Sequence, residues 1–427
     1  MTVYLKILNY RYIINFLVCL LPVSFIAGNL SINLNVVLII FFTLINYRKD
    51  FFLFKLNFID KLLIFLFFYT FFIGLYNYLI FPDKNNIFAR ENFFKSLAFF
   101  RYLLFYISIK LIISKKIFNY KNFFIVSSLC VLFVSLDIIY QLIFGKDIFG
   151  NLITSYKLSG PFGSEKIAGS YLQRFSIFLF FLVPIIFNFK NKNNHILVLS
   201  GLFLLIFYSM VIAGNRMPLI LLFLMFLFLF LIEKRLRKFS LVFIISSGVF
   251  FLVILKLSPQ VQEYTEFFIR MSFGIFVFLK NTFLLGAEPN ITSTYINELY
   301  SGYVTWKENL FFGGGINFFY LNCSKVMEFC SSHPHNYYLE ILSEIGIVGF
   351  ITILIIIINL ITIFLKNKNS LSLNFNNNLI FPFFLLLFAE FFPIKTSGSF
   401  FTTGNSTFIF LLIAIVANLP QKYIPIE

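Results

Sequence analysis

The sequence predicts an all-α polytopic membrane protein with about twelve transmembrane helices. Three observations predict it. The chain is 59% hydrophobic and 12% charged, with a mean hydropathy of +0.90, where soluble domains carry roughly a quarter charged residues. Its apolar residues gather into runs of membrane-helix length. Its lysines and arginines fall in short clusters between those runs. The 67 Phe residues accompany abundant Ile, Asn and Lys, as an AT-rich coding sequence gives, and lipid-facing Phe needs no stacking role. The net charge of +16 is divided among the same clusters, which argues against a nucleic-acid surface.

In chain order the apolar runs are 12–30, 32–46, 61–81, 96–113, 123–144, 168–189, 196–213, 217–232, 239–257, 339–365, 379–395 and 405–419. The gaps between them alternate in charge. Lys6/Arg11, Arg48/Lys49/Lys55, Lys115/Lys116/Lys121, Lys190/Lys192, Lys234/Arg235/Arg237/Lys238, Lys366/Lys368 and Lys422 share one side, which is therefore cytoplasmic. The other side receives 81–95, 145–167, the tight Gly214-Asn215-Arg216 turn, 258–338 and 396–404. Both termini are thus expected inside, and 1–427 reads as a single membrane domain. The first run imitates a signal peptide without a convincing cleavage site, so a retained helix is expected.

The outer loop 258–338 is about eighty residues long, and loops of that length are uncommon without a function. Within it, 272–285 is apolar but short and interrupted by Lys280. A crossing there would break the charge alternation, so the segment reads as interfacial or re-entrant.

The loop ends in Ser331-Ser-His-Pro-His-Asn-Tyr-Tyr-Leu-Glu-Ile-Leu-Ser-Glu-Ile-Gly-Ile-Val-Gly-Phe350, where polar chain becomes apolar helix. Asn336 is a good N-cap, and Pro334 keeps His333 out of helical geometry. From Tyr337 one helix is expected to run to about Leu365. His335 then sits at the positive end of a helix dipole near the membrane surface. That field lowers its proton affinity and favours the neutral imidazole a general base needs. Asn336, Glu340 and Glu344 share one helix face, which either orients the histidine or holds acceptor sugars. For Asn336, plain capping is the equal alternative. Gly346 and Gly349 most simply allow close helix packing.

Charge at membrane depth marks functional candidates. On this topology Arg101, Asp137, Arg174, Glu344 and Glu390 lie within about two turns of the outer surface, Arg216 lies in the outer turn, and Lys256 and Lys395 end outside. A transporter more often places such groups near the midplane. The pattern describes a polar chamber opening outward, roofed by the long loop. Structural pairing of Arg101 with Asp137 is the plainer reading of those two. A shorter residue than Arg216 would serve a plain turn.

His335-Asn336, nine residues, then Gly346-x-x-Gly349 resembles the signature of the bacterial O-antigen ligase and O-antigen polymerase superfamily. The late outer loop is similar to that family's, as are Gly214-Asn215-Arg216 at a helix end, the glycine-containing loop Ser159–Leu172 and the turn Gly313-Gly-Gly-Ile-Asn-Phe318. Family members also carry a second arginine shortly before the glycine turn. Here that region reads Ser301-Gly-Tyr-Val-Thr-Trp-Lys307, so Lys307 or Arg270 would supply the charge.

The resemblance implies a GT-C-like glycosyltransferase of the bacterial inner membrane, with its active site facing the periplasm. The donor would be a glycan on undecaprenyl pyrophosphate and the acceptor a hydroxyl of lipid A-core or of another lipid-linked glycan. His335, supported by His333, would deprotonate the acceptor. Arg216 and Arg174, with Lys166, Arg270 or Lys307, would receive the departing pyrophosphate, for which guanidinium forks are suited. Base and leaving group on opposite faces of the sugar imply inversion. No cofactor is expected. In extended chain the side chains of His333 and His335 converge only loosely, Pro334 limits adjustment and no carboxylate adjoins them, so a metal is not expected either. Gly313–Gly315 precedes no Lys-Ser/Thr, so no nucleotide loop is present. On an oxidising outer face Cys323 and Cys330 would pair, whereas Cys19 and Cys130 read as packing. A ligase is the leading expectation, a polymerase the alternative, and a lipid-linked glycan flippase the rival of another class.

Overall fold

A computed structural model describes residues 2–80, 87–153, 157–186, 192–232, 237–257, 259–281, 294–326, 330–371, 379, 381–396 and 398–418. Lys190, Glu233, Lys234, Arg235 and Lys422 lie outside these residues. Among those described, every repeating element is a helix, and Lys146 and Leu152 form an isolated bridge.

Each apolar run becomes helix. The first divides into α1 (Thr2–Cys19) and the short α2 (Leu21–Ile26), which opens with Pro22 in its first turn. Then come α3 (Asn29–Leu53), α4 (Phe58–Ile80), α5 (Ile87–Phe99), α6 (Arg101–Ser114), α7 (Tyr120–Phe144), α8 (Ala168–Ile186), α9 (Lys192–Ile212), α10 (Arg216–Ile232) and α11 (Arg237–Leu257). The local chemistry is visible at α7. The Asn119 side chain accepts from the Asn122 amide at 3.1 Å, and Gly145, at φ 75°, closes the other end.

The segment read as a long loop is largely helical. It holds α12 (Pro259–Leu279), α13 (Thr294–Glu308) and α14 (Phe318–Val326). The apolar stretch from 272 is therefore the end of α12 rather than a separate re-entrant piece, and its continuation from 282 lies outside the described residues. The chain ends with α15 (Tyr337–Leu371), α16 (Phe381–Glu390) and α17 (Thr403–Ala417).

Among the described residues, seven helices can cross a bilayer by length and composition: α3, α4, the α5–α6 pair over Ala89–Ser114, α7, α8, α11 and α15. Leu197–Ile212, α10, α16 and α17 are shorter apolar helices. The protein is an all-α, multi-pass membrane protein. α8 is deeply enclosed, packed among α7, α9, α10 and α16 with Phe175, Phe178 and Phe180 fully buried.

Several charged groups inside this apolar body have partners, as burial demands. Asp60, which the sequence gives no role, accepts from Tyr106 Oη at 2.7 Å and forms a buried ion pair with Lys110. Arg101 and Asp137, expected as partners, are not joined. Arg101 bonds Tyr102 Oη at 2.7 Å and lies against Thr403, while Asp137 accepts from the Ile148 amide at 2.8 Å. Packing of α6 on α17 turns the arginine away, and the loop after α7 occupies the aspartate.

α15 is not the continuous helix its sequence predicts. Gly346 has φ +64° and ψ −169°, which breaks it in two. The 310–315 turn fills the break. Above it, the Ser343 and Glu344 carbonyls accept from the Gly314 and Gly315 amides at 3.1 and 2.7 Å. Below it, the Ile347 and Val348 amides donate to the Leu310 and Phe311 carbonyls at 3.0 and 3.2 Å. Non-helical backbone at membrane depth is tolerated where protein satisfies it, as here. A Cβ at Gly346 would lie 2.3 Å from the Phe311 carbonyl oxygen. The two glycine motifs are thus halves of one junction, a tighter role than general helix packing.

Candidate active site

The histidine loop is held from three sides. Asn336 caps α15, its Oδ1 accepting from the Tyr338 and Leu339 amides at 3.0 and 3.2 Å. Its Nδ2 donates to the Pro393 carbonyl at 3.0 Å, and Tyr338 Oη donates to the Phe391 carbonyl, so the 391–395 loop is tied to the same turn. From below, Tyr337 Oη stands 3.3 Å from Glu390 Oε2 and accepts from Lys395 Nζ at 3.1 Å. Cys323 and Cys330 form the expected disulfide, closing the loop just ahead of Ser331, while Cys19 and Cys130 are free and buried.

Within this frame His335 adopts φ +51°, in the left-handed region unusual for a residue with a side chain. Its ring lies 4.1 Å from that of His333, centroid to centroid. His333 Nδ1 is 2.9 Å from Ser332 Oγ, and its buried Nε2 has no hydrogen-bond partner among the described residues. His335 Nε2 faces Glu298 Oε1 of α13 at 3.4 Å. Gly302 makes this approach possible. One turn beyond Glu298 on α13, it sits so close to the loop that a Cβ would meet Pro334 Cβ at 2.7 Å.

Burial lowers the proton affinity of His335, and the charge of Lys157 lowers it further. The direction expected of the helix dipole is found, but enclosure and a lysine cause it. His333 falls to about 4, through burial and then the neighbouring His335. Burial pushes the Glu298 carboxyl up to about 7.

Lys157 also borders the arginine turn. Gly214, at φ +71°, approaches it so closely that a Cβ there would stand 3.1 Å from Lys157 Cγ. Arg216 opens α10. Between Gly214 and Arg216, the Asn215 side chain accepts from the Gly169 amide at 3.0 Å and donates to the Lys166 carbonyl at 3.1 Å. A Cβ at Gly169 would lie 2.5 Å from that of Asn215. The structure thus joins the glycine loop ahead of α8 to the Gly214-Asn215-Arg216 turn, and sets Lys157 against that turn with its charge reaching His335.

Other predicted residues are engaged elsewhere. Arg174 is buried on α8 and forked onto Glu390, Nε to Oε1 at 2.8 Å and NH2 to Oε2 at 3.1 Å, with NH2 also donating to Asn405 Oδ1 at 2.6 Å. Lys395 completes this cluster on Glu390. Glu340 and Glu344 do share a buried face, and both carboxylates are taken by other partners. Glu340 accepts from Ser399 Oγ and the Phe400 amide, and Glu344 from the Phe318 and Phe319 amides at 2.9 and 3.1 Å. Buried backbone amides at the starts of neighbouring segments take both carboxylates. Arg270 is exposed on α12, 3.9 Å from Glu266. Lys307 is exposed at the far end of α13, its Nζ 4.5 Å from the Tyr303 ring centroid, and about 14 Å along the helix from Glu298.

Glu298 and Lys157 are the two site residues that sequence reasoning missed. Glu298 carries no local signal. Lys157 does carry one, since a lysine in a gap that the charge alternation assigns to the outer side runs against the positive-inside bias. Among the described residues, no three His, Cys, Asp or Glu side chains gather as a metal site requires.

Comparison of the chain with curated proteins finds no match. Residues 201–354 match a family model described as O-antigen ligase. The matched stretch runs from α9 into α15 and contains the Gly214-Asn215-Arg216 turn, Glu298, the glycine turn and the histidine motif. The resemblance in the sequence is thereby borne out: residues 201–354 are similar to the O-antigen ligase family, which supports the O-antigen ligase superfamily for this part of the chain.

Proposed function

We propose that the protein is a ligase. It moves a glycan from undecaprenyl pyrophosphate to a hydroxyl of lipid A-core on the periplasmic face of the bacterial inner membrane. One observation supports this reading: Lys157 lies against the turn leading into Arg216, and its charge reaches His335, which is biased toward its neutral form. A base together with cations suits glycosyl transfer from a phosphate carrier.

In the proposed step, His335 takes the proton of the acceptor hydroxyl as its oxygen attacks the anomeric carbon. The bond from that carbon to the pyrophosphate oxygen breaks, and Arg216, with Lys157 and Lys166, receives the negative charge of the leaving group. Attack opposite the leaving group inverts the anomeric centre. Arg174 holds Glu390, which touches Tyr337, and so steadies the floor of the histidine loop. His333 shields one face of the His335 ring. Arg270 and Lys307, exposed and further away, attract the anionic donor at longer range.

The test is the envelope glycan profile of a deletion strain complemented with the wild-type protein or with His335→Ala at equal membrane abundance. Loss of glycan from lipid A-core, with long chains accumulating on the carrier, is expected for the variant. Normal attachment removes the base assignment. Single repeat units capping the core would reassign the protein as a polymerase.

A further inference from the structure

We infer that Glu298 is the positioning residue of His335: it holds Nε2, fixes the ring's tautomer and leaves Nδ1 to take the acceptor proton. The inference rests on the base reading of His335. Its geometric basis is separate. Glu298 Oε1 stands 3.4 Å from His335 Nε2, at ion-pair range and longer than a relaxed hydrogen bond. Contacts of this kind are often long in unliganded sites and tighten when substrate binds.

The surroundings distinguish Glu298 from the chain's other buried acids. Glu340 and Glu344 accept from backbone amides, and Glu390 and Asp60 are paired with cations. Among the described residues, the side chain of Glu298 has an imidazole as its partner, and it is partly enclosed, with 19% of its side chain exposed. Two backbone devices set up the contact. Gly302 lets α13 touch Pro334, and the left-handed backbone of His335 directs its ring toward α13. A strained backbone at a reactive residue persists when its surroundings over-determine it.

The chemistry follows. With Nε2–H directed at the carboxylate, the lone pair lies on Nδ1. When Nδ1 accepts the proton of the acceptor hydroxyl, the imidazolium that forms faces an anion already in place. The charged and titratable groups bearing on His335 are Glu298 from α13, His333 from its own loop and Lys157 from the loop before α8. Lys157 opposes protonation and Glu298 supports it. The pair keeps the base neutral at rest yet able to receive a proton.

The experiment uses the full-length protein and compares Glu298→Gln, which keeps an acceptor oxygen but not the charge, with Glu298→Asp and His335→Ala. The first readout is glycan attachment in the complemented deletion strain at matched abundance. The second is the pH profile of His335 carbethoxylation by diethyl pyrocarbonate in detergent, mapped by mass spectrometry to separate it from His195 and His333. Glu298→Gln is expected to lower attachment about ten- to a hundredfold. It is also expected to shift the His335 midpoint, because the carboxyl that titrates near 7 beside the ring has been removed. Glu298→Asp recovers part of both. A carboxylate with only a packing role would move neither. Attachment and midpoint unchanged in Glu298→Gln, with attachment lost in His335→Ala, overturn the inference alone. Attachment retained in His335→Ala overturns the base assignment and this inference with it.

Discussion

The Gly315 amide donates to the Glu344 carbonyl at 2.7 Å, across the break that Gly346 makes in α15. Backbone from one segment thus satisfies a helix end in another, and the histidine loop is built on that join. Asn77 and Asn92 reinforce it, each donating its side-chain amide to the Gly314 carbonyl at 2.7 Å.

Gly346→Ala is expected to destabilise the protein. Left-handed backbone in a non-glycine residue costs about 1–3 kcal/mol, and the added Cβ would also press on the Phe311 carbonyl. Gly201→Ala in α9, where a Cβ meets nothing within 4 Å, is the matched control and should melt like wild type. Thermal unfolding of the purified proteins checks both.

Arg174 and Arg216 should fail in different ways. Arg174→Ala leaves Glu390 buried with Lys395 as its remaining cation, and breaking a buried pair typically costs about 3–5 kcal/mol. Its melting temperature should drop. Arg216→Lys should retain wild-type melting but lose transfer by at least about a hundredfold, because a point charge does not reproduce a bidentate fork. Equal turnover in Arg216→Lys would show the fork to be unnecessary.

Gly302→Val places a branched side chain where even a Cβ lies 2.7 Å from Pro334. α13 must shift outward and carry Glu298 from His335. Transfer should fall by roughly tenfold or more, since displacements of about an ångström at reacting groups have that effect. Membrane abundance should be unchanged. Activity equal to wild type would mean that the spacing of α13 from the loop is immaterial.

The pH dependence follows from the same pair. Burial pushes Glu298 up to about 7, while His335 is held below an ordinary imidazole and so stays neutral at neutral pH. As pH falls through about 7, Glu298 gains a proton and its charge no longer supports the imidazolium. Transfer in right-side-out membranes bearing the native donor and acceptor should therefore decline below about pH 7, and Glu298→Gln should lose that limb. An identical limb in the variant would assign it to another group.

The sequence makes legible whatever is local. Each apolar run becomes helix, Asn336 caps α15, Cys323 and Cys330 pair, and the histidine signature lies inside the family match. What it hides is contact between distant segments. Shared-face spacing correctly groups Glu340 with Glu344, yet it says nothing of the amides that α14 and the loop before α17 bring to them. Glu298 and Lys157 lie on different elements from His335, and no periodicity links them. The helices of the 258–338 segment are missed because amphipathic helices resemble polar loop once they are read for membrane-length apolar runs.

The join at Gly346 also turns a motif into a ruler. The outer portion of α15 is clamped at one end by its Asn336 cap and at the other by the inserted backbone. One residue added between them would swing His335 by about 100° around the axis and raise it by about 1.5 Å. The number of residues separating histidine from glycine is therefore a fixed rotation, set so that the imidazole ends up pointing at α13.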